Sequence, residues 1–204
     1  EGGVYGNSDF VDAYSASFLV HGCIDKIADA VASQDFKLYK INGRYGQEME
    51  AKEVMDSDVL DLLETPNPYY SGYDLKFGTV VCLKLVGNAY WYKLRDKSGK
   101  VEQLWLLKPD SVTAKMSKDG KTIEGFDYLV NGIKQFFKYD DIIHFKYYNP
   151  QDEVKGLATI QPVMEVVKSA VFSVRWNKNF FYNSAMPDHL IVLKNSPNLT
   201  DAER

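Results

Sequence analysis

The sequence is short of the residues from which most catalytic and metal centres are built. Its 204 residues include three histidines and two cysteines. Neither the H-x-x-x-H nor the C-x-x-C spacing of metal ligands occurs. A G-x-S-x-G nucleophile turn and a glycine-rich phosphate loop are missing as well. The sequence therefore predicts no metal, no cofactor and no catalytic residues.

Long apolar runs and blocks of basic residues are also missing. No stretch of about 18 apolar residues occurs, so we expect no membrane-spanning helix. The net charge is −4 and no Lys/Arg block is present, so no surface for gripping nucleic-acid phosphates is evident. Cys23 and Cys82 lie in apolar helical patterns. We expect both to be reduced and buried, as suits synthesis in a cytosol.

Aromatic residues, in contrast, are plentiful at 14% of the chain, with fourteen tyrosines. Tyrosine favours half-buried surfaces and interfaces, so this share exceeds the needs of a core. The length suits one sizeable domain, or one domain with an appendage. Thr200 and Glu203 form a capping box at the end of the sequence, with no helix after it. We therefore expect the natural chain to continue.

The segment from Leu83 to Val112 organises the prediction of the fold. A helix is expected to end at Gly87-Asn88, and two strands joined by a turn at residues 96–100 follow it. Gly87 is predicted to have a positive φ, because the reversal from helix to strand needs a residue without a Cβ penalty. The pair Asn131-Gly132 predicts a second hairpin.

The remaining patterns predict helices before this segment and a long helix after it. Helical spacing covers about 16–33, a short helix follows Ser57, and Ser71 with Asp74 caps a third. Residues 36–40 alternate as a strand, whereas 44–52 are predicted to be a polar surface loop. Further strands are expected at 112–116, 121–123, 127–130, 133–136, 142–147 and 190–193. The sum is an α+β fold: N-terminal helices, an antiparallel β meander and a long C-terminal helix.

The long helix is predicted over residues 157–182, with an apolar stripe that attaches it to its own domain. The stripe comprises Val163, Val166, Val167, Ala170, Val171, Val174 and Phe181. Another side carries Lys168, Arg175, Trp176 and Lys178. This side is either a solvated face or a subunit interface or channel lining, since Trp and Arg are enriched at interfaces.

Two polar clusters have a possible chemical interpretation and a simpler structural one. His144 follows Asp140 and Asp141 closely, as a base with an orienting carboxylate would. The simpler interpretation is a half-buried histidine bonded to the backbone at the start of a strand. Three acidic residues, Asp56, Asp58 and Asp61, are explained by helix capping and a solvated face.

Eight short motifs follow one another between about residues 18 and 193. They are VHGCIDKIA at 20–28, FKLY at 36–39, LETPNP at 63–68, GNAY at 87–90, LWLLKPD at 104–110, DDIIH at 140–144, GLATI at 156–160 and FFYNSAMP at 180–187. In this order they resemble the portal proteins of tailed bacteriophages. The matching motif positions are Pro66, Asn67, Pro68, Gly87, Asn88, Tyr90, Pro109, Asp110, His144, Gly156, Asn183 and Pro187. Two turn positions depart from the family pattern: Ala158-Thr159 replaces Ser-Pro, and Ser184 replaces Gly.

The resemblance implies a ring, dodecameric in the virion, at one vertex of the capsid. Double-stranded DNA would pass through it without sequence specificity. The major capsid protein, the terminase and head–tail connector proteins would be its partners, and assembly would occur in the host bacterial cytoplasm. Residues 1–156 would form a wing-like α+β domain, and 157–204 a long helix and the start of the stem and clip. The alternatives are an enzyme using His144 and Asp141, or another phage head–tail structural protein.

Overall fold

The computed structural model describes residues 6–42, 50–120 and 122–182. The chain divides into two compact units, Glu1–Val167 and Lys168–Arg204. The helices are α1 (Asn7–Ala16), α2 (Phe18–Ala32), α3 (Asp58–Glu64), α4 (Gly72–Val86) and α5 (Met164–Tyr182). The strands are β1 (Leu38–Asn42), β2 (Glu50–Val54), β3 (Asn88–Arg95), β4 (Val101–Leu107), β5 (Val112–Met116), β6 (Ile123–Val130), β7 (Ile133–Lys138) and β8 (Ile142–Lys146). Three single 3₁₀ turns cover Pro109–Ser111, Tyr139–Asp141 and Gln161–Val163.

The described strands form three antiparallel sheets, which confirms the α+β class. β1 pairs with β2, the order β5-β6-β7 is a meander, and the third sheet has the order β4-β3-β8. The meander is therefore not continuous, because β8 returns to pair with β3. Packing favours this return, since Phe145 on β8 makes an edge contact with Trp91 on β3, with 4.8 Å between the ring centroids.

α4 begins and ends at the residues that the sequence predicts. The backbone nitrogen of Asp74 donates to Oγ of Ser71 at 3.2 Å, and the nitrogen of Ser71 donates to Oδ2 of Asp74 at 3.0 Å. This reciprocal pair satisfies amides that a helix start leaves without partners. The helix ends at Gly87, whose φ of +76° confirms the predicted left-handed conformation.

Three hydrophobic clusters hold the larger unit together. The first joins α1, α2 and α4 to Ala158, Ile160 and Met164. The second lies between sheets β4-β3-β8 and β5-β6-β7, around the fully buried Phe126. The third packs Leu75 of α4 against Trp91 and Leu104. The central helix and hairpin thus contribute to all three clusters.

One helix was not predicted, and two predictions of secondary structure were wrong in part. α2 confirms the helix predicted over about 16–33, but α1 before it was not predicted; the two are separate because Ser17 is extended and its Oγ caps α2. The end of the predicted loop forms β2, where Glu, Ala and Lys give a weak strand signal. α5 begins at Met164 instead of Leu157, because the preceding segment packs against the end of α4 and turns once as a 3₁₀ helix. The strand predicted at 190–193 lies outside the described residues.

Candidate assembly surface

The GNAY motif lies where the end of α4 meets two distant segments. The backbone nitrogen of Gly156 donates to Oδ1 of Asn88 at 2.8 Å. Nδ2 of Asn88 donates to the carbonyls of Val86 and Gly156 at 3.0 and 3.3 Å. The nitrogen of Tyr147 donates to the carbonyl of Gly87 at 3.0 Å. The Asn88 side chain therefore joins the end of α4 to the segment that leads to α5, and the carbonyl of Gly87 joins it to the residue after β8.

His144 completes this junction as a neutral side chain. Its Nε2 lies 3.0 Å from Oδ1 of Asn88. Because the amide nitrogen of Asn88 already donates elsewhere, its oxygen is the acceptor and Nε2 of His144 is the donor. The imidazole stacks on Tyr90 with 4.3 Å between centroids. Burial, with a smaller contribution from Lys146, lowers the pKa of His144 to about 4.

The geometry does not support an acid–base pair of His144 and Asp141. Oδ1 of Asp141 accepts a hydrogen bond from Nε of Arg95 at 3.0 Å, while His144 is bonded to Asn88. The two side chains thus have separate partners. The structural interpretation of His144 needs one correction, because its partner is a side chain and not the backbone.

The PNP motif forms a second buried joint. Nδ2 of Asn67 donates to the carbonyl of Leu104 at 2.7 Å, and its Oδ1 accepts from the nitrogens of Tyr69 and Tyr70, both at 2.9 Å. The nitrogen of Leu104 donates to the carbonyl of Pro66 at 2.8 Å. The loop between α3 and α4 is thereby fixed to β4.

Most of the motif positions predicted from the sequence therefore build interior joints. Pro109 and Asp110 form the turn between β4 and β5, beside a cavity of about 230 Å³ that Asn88, Tyr90 and Gly156 also line. Asn183 and Pro187 lie outside the described residues. Within residues 6–42, 50–120 and 122–182, no three His, Cys, Asp or Glu side chains are grouped to hold a metal ion.

α5 leaves the residues predicted as interface or channel at its surface. Lys168, Arg175, Trp176 and Lys178 are all exposed, and Trp176 stacks on Phe180 with 5.3 Å between centroids. From Phe172 to Tyr182 every residue is exposed in the single copy.

Within the larger unit, the valine stripe is covered only in part. Val167 packs beside the buried Met164, whereas Val163 and Val166 are exposed, and in the smaller unit Val174 and Phe181 are exposed as well. A helical apolar pattern indicates that a face is covered without saying by what. A second copy of the chain is one such cover, which the sequence pattern cannot distinguish from the chain's own core.

A second apolar surface lies along the outer side of α2. Leu19, Cys23 and Ile27 follow one another at a spacing of four residues, and with Ile160 and Val163 they line a groove of about 300 Å³. Cys23 is exposed, which corrects the prediction that it is buried: it lies one position before Ile24, which faces the core. Cys82 fits the prediction better, because burial raises the pKa of its thiol to about 12.

The acidic residues near α3 lie beside a wide groove. Ser57, not an aspartate, caps the helix through Oγ, which accepts from the nitrogen of Val59 at 3.3 Å. Oδ2 of Asp58 lies 2.5 Å from Nζ of Lys100, an ion pair that lowers the pKa of Asp58. Asp61 lines the groove nearby, and both aspartates are exposed.

Comparison with known families places these joints and surfaces in context. A model of the phage portal protein family matches residues 19–204. The chain belongs to this family. A protein of Rickettsia bellii (strain RML369-C) is 24% identical to this portal chain over 203 residues, covering 94% of the chain and 50% of the relative. The portal chain thus spans about half the length of this curated relative.

Solved structures show the same fold in particle necks and in a phage portal. The neck of an empty gene transfer agent particle, computed with C6 symmetry, matches with a TM-score of 0.75 and 22% identity, covering 96% of this portal chain and 52% of that one. The neck of a native particle, computed with C12 symmetry, matches with a TM-score of 0.70 and 25% identity, covering 96% of this portal chain and 51% of that one. An HK97-family phage portal protein from Corynebacterium diphtheriae matches with a TM-score of 0.55 and 15% identity, covering 95% of this portal chain and 56% of that one.

No described helix has the length and apolar character needed to cross a membrane.

Proposed function

We propose that the chain forms a homo-oligomeric ring at one vertex of a virus-like particle, through which double-stranded DNA is packaged and ejected. Membership of the portal family is the observation that carries this proposal. The exposed apolar side chains of α5 and α2 support it, because soluble monomers rarely leave contiguous apolar patches of this kind uncovered. The neck structure computed with C12 symmetry supports twelve copies.

The α5 residues are the proposed subunit interface or channel lining. Trp176 and Arg175 lie next to each other on an exposed helix, and both types act as anchors at interfaces. In a closed ring each subunit meets its neighbour through two different surfaces, so this face needs a non-identical partner surface. Residues 1–156 would then form the wing-like part, and 157–204 the long helix leading to the stem and clip.

The charge of the chain suits a conduit. Each strong contact with a phosphate adds a barrier to sliding, and the net charge of −4 without a basic block limits such contacts. The ring itself would catalyse nothing. The terminase, the major capsid protein and head–tail connectors would dock on it in the particle, after assembly in the host bacterial cytoplasm.

A packaging assay tests the conduit function. Capsids assembled with and without the full-length protein are mixed with terminase, ATP and linear double-stranded DNA, and nuclease-resistant DNA is measured. We expect protected DNA only in capsids that contain the protein. Equal protection in both preparations would contradict the proposal.

A further inference from the structure

None of the described side chains of the β1–β2 hairpin, at residues 38–41 and 51–54, is buried. Residues 36–41 and 51–52 are exposed, with Tyr39 at 47% and Ile41 at 58%. Among the described strands, β1 and β2 pair only with each other. A two-stranded hairpin in water is marginally stable unless something packs on it, and its edges offer free backbone groups. A partner surface is therefore expected for this hairpin.

One face of the hairpin indicates the chemistry of that partner. The register pairs Leu38 with Val54, Lys40 directly with Lys52 and Asn42 with Glu50, which places these six positions on one face. Among the residues whose side chains are described, no ion pair joins either lysine to a carboxylate. Like charges directly opposite each other are destabilising. The face therefore favours a surface that is acidic and has apolar positions beside the charges.

The same chain carries such a surface at α3 and the β3–β4 turn. A groove of about 610 Å³ is lined by Asp58, Asp61, Glu64, Asp96 and Glu102, against a single lysine that already pairs with Asp58. Leu62 and Val101 supply apolar lining. Five carboxylates against one ammonium group leave the groove strongly negative, complementary to the lysine face of the hairpin.

We propose that the β1–β2 hairpin of one copy docks its Lys40 and Lys52 face into this acidic groove of the neighbouring copy. The inference rests on the proposed ring and names one contact that closes it. Hairpin and groove are different surfaces of one subunit, as a ring interface requires. The five residues of β1 span about 17 Å at roughly 3.3 Å per residue, enough for an arm that reaches a neighbour.

Charge reversal in the full-length protein tests the contact. We expect Lys40→Glu with Lys52→Glu to weaken ring association about tenfold or more at low salt, measured by mass photometry over a dilution series. The pair of glutamates keeps the like-charge opposition of positions 40 and 52 but adds repulsion with position 50 on the same face, so a circular-dichroism melting curve of each variant accompanies the ring measurement. Lys118→Glu with Lys138→Glu makes the same charge change at exposed sites elsewhere and should leave the rings intact. Adding Glu64→Lys and Glu102→Lys to the hairpin variant should restore rings.

Disulfide formation gives a second readout that does not depend on binding energy. In a Cys23→Ser background, Lys52→Cys combined with Glu64→Cys should give a ladder of covalent multimers on a non-reducing gel. A mixture of chains that carry either Lys52→Cys or Glu64→Cys should give covalent dimers only, because each chain then has a single cysteine at the contact and can be linked to one neighbour.

The outcomes separate this inference from the ring itself. Wild-type rings with no ladder, and a hairpin variant that behaves like its Lys118/Lys138 control, would overturn the hairpin contact and leave the ring standing. Rings lost in the hairpin variant but not restored by the groove substitutions would also count against it. A wild-type protein that is monomeric under all conditions would overturn both.

Discussion

Gly87→Ala offers a sharp test of how the chain is joined at the end of α4. Gly87 has a φ of +76°, and a Cβ built there would lie 2.5 Å from the carbonyl carbon of Leu157 and 2.8 Å from the nitrogen of Ala158. The left-handed conformation costs a residue with a Cβ about 1–2 kcal/mol. Overlap with backbone adds on the order of 1–3 kcal/mol, because the atoms in the way cannot rotate aside. We therefore expect a loss of about 2–5 kcal/mol in the free energy of unfolding.

Two matched variants separate these contributions. Gly132 has a similar φ of +78°, but a Cβ there meets nothing within 4 Å. Gly132→Ala should therefore cost about 1–2 kcal/mol. Gly87→Asn reduces the conformational cost, since Asn tolerates positive φ, but it keeps the overlap with the Leu157 backbone.

Guanidinium unfolding followed by circular dichroism measures all three variants at one temperature. Gly87→Ala should be clearly more destabilised than Gly132→Ala, and Gly87→Asn should also have a lower free energy of unfolding than wild type. Equal losses for the two alanine variants would refute the close approach of the 157–158 backbone.

Asn67→Ala should cost about 2–4 kcal/mol in urea unfolding, because buried backbone groups lose their partners. Asn149→Ala removes similar hydrogen bonds at a half-buried residue where water can replace them, and it should cost less than about 1 kcal/mol. Because folding lowers the pKa of His144 from 6.5 to about 4, the unfolded chain takes up a proton on His144 at a higher pH than the folded chain does. The contribution of His144 to the free energy of unfolding should be fully present above pH 6.5 and should fall toward pH 4, by about 1–2 kcal/mol after allowing for solvent at the half-exposed ring. Unfolding curves near pH 7 and pH 5 measure this loss, and His144→Gln should remove it. Trp176→Ala with Arg175→Glu should leave the circular-dichroism melting curve of the monomer nearly unchanged, since both side chains are exposed in the single copy. The same double variant of the full-length protein should form fewer rings. Normal rings, or an unfolded monomer, would count against the interface.

Local signals made part of this fold predictable. The Ser71–Asp74 capping box and Gly87 fix the two ends of α4 through contacts within a few residues. Asn131-Gly132 predicts the β6–β7 hairpin for the same reason, since the two residues adopt positive φ in a tight turn. In each case the sequence pattern and the bond it predicts lie in the same short segment.

Pairing between distant segments was not predictable in the same way. The return of β8 to β3 and the role of Asn88 depend on residues 50 to 68 positions apart. The family motifs pointed to Asn88, His144 and Gly156 without showing that they bond to one another. The apolar stripe of α5 was predicted from its spacing, but the exposure of Val163 and Val166 was not, because amphipathic spacing does not identify what packs on a face.

The mass of the assembled full-length protein tests the proposed ring most directly. Native mass spectrometry at micromolar concentration, with negative-stain images of the same sample, gives the copy number and shows whether the assembly is closed. We expect closed rings whose mass corresponds to the proposed twelve copies. A protein that stays monomeric or dimeric across concentration and salt would contradict it.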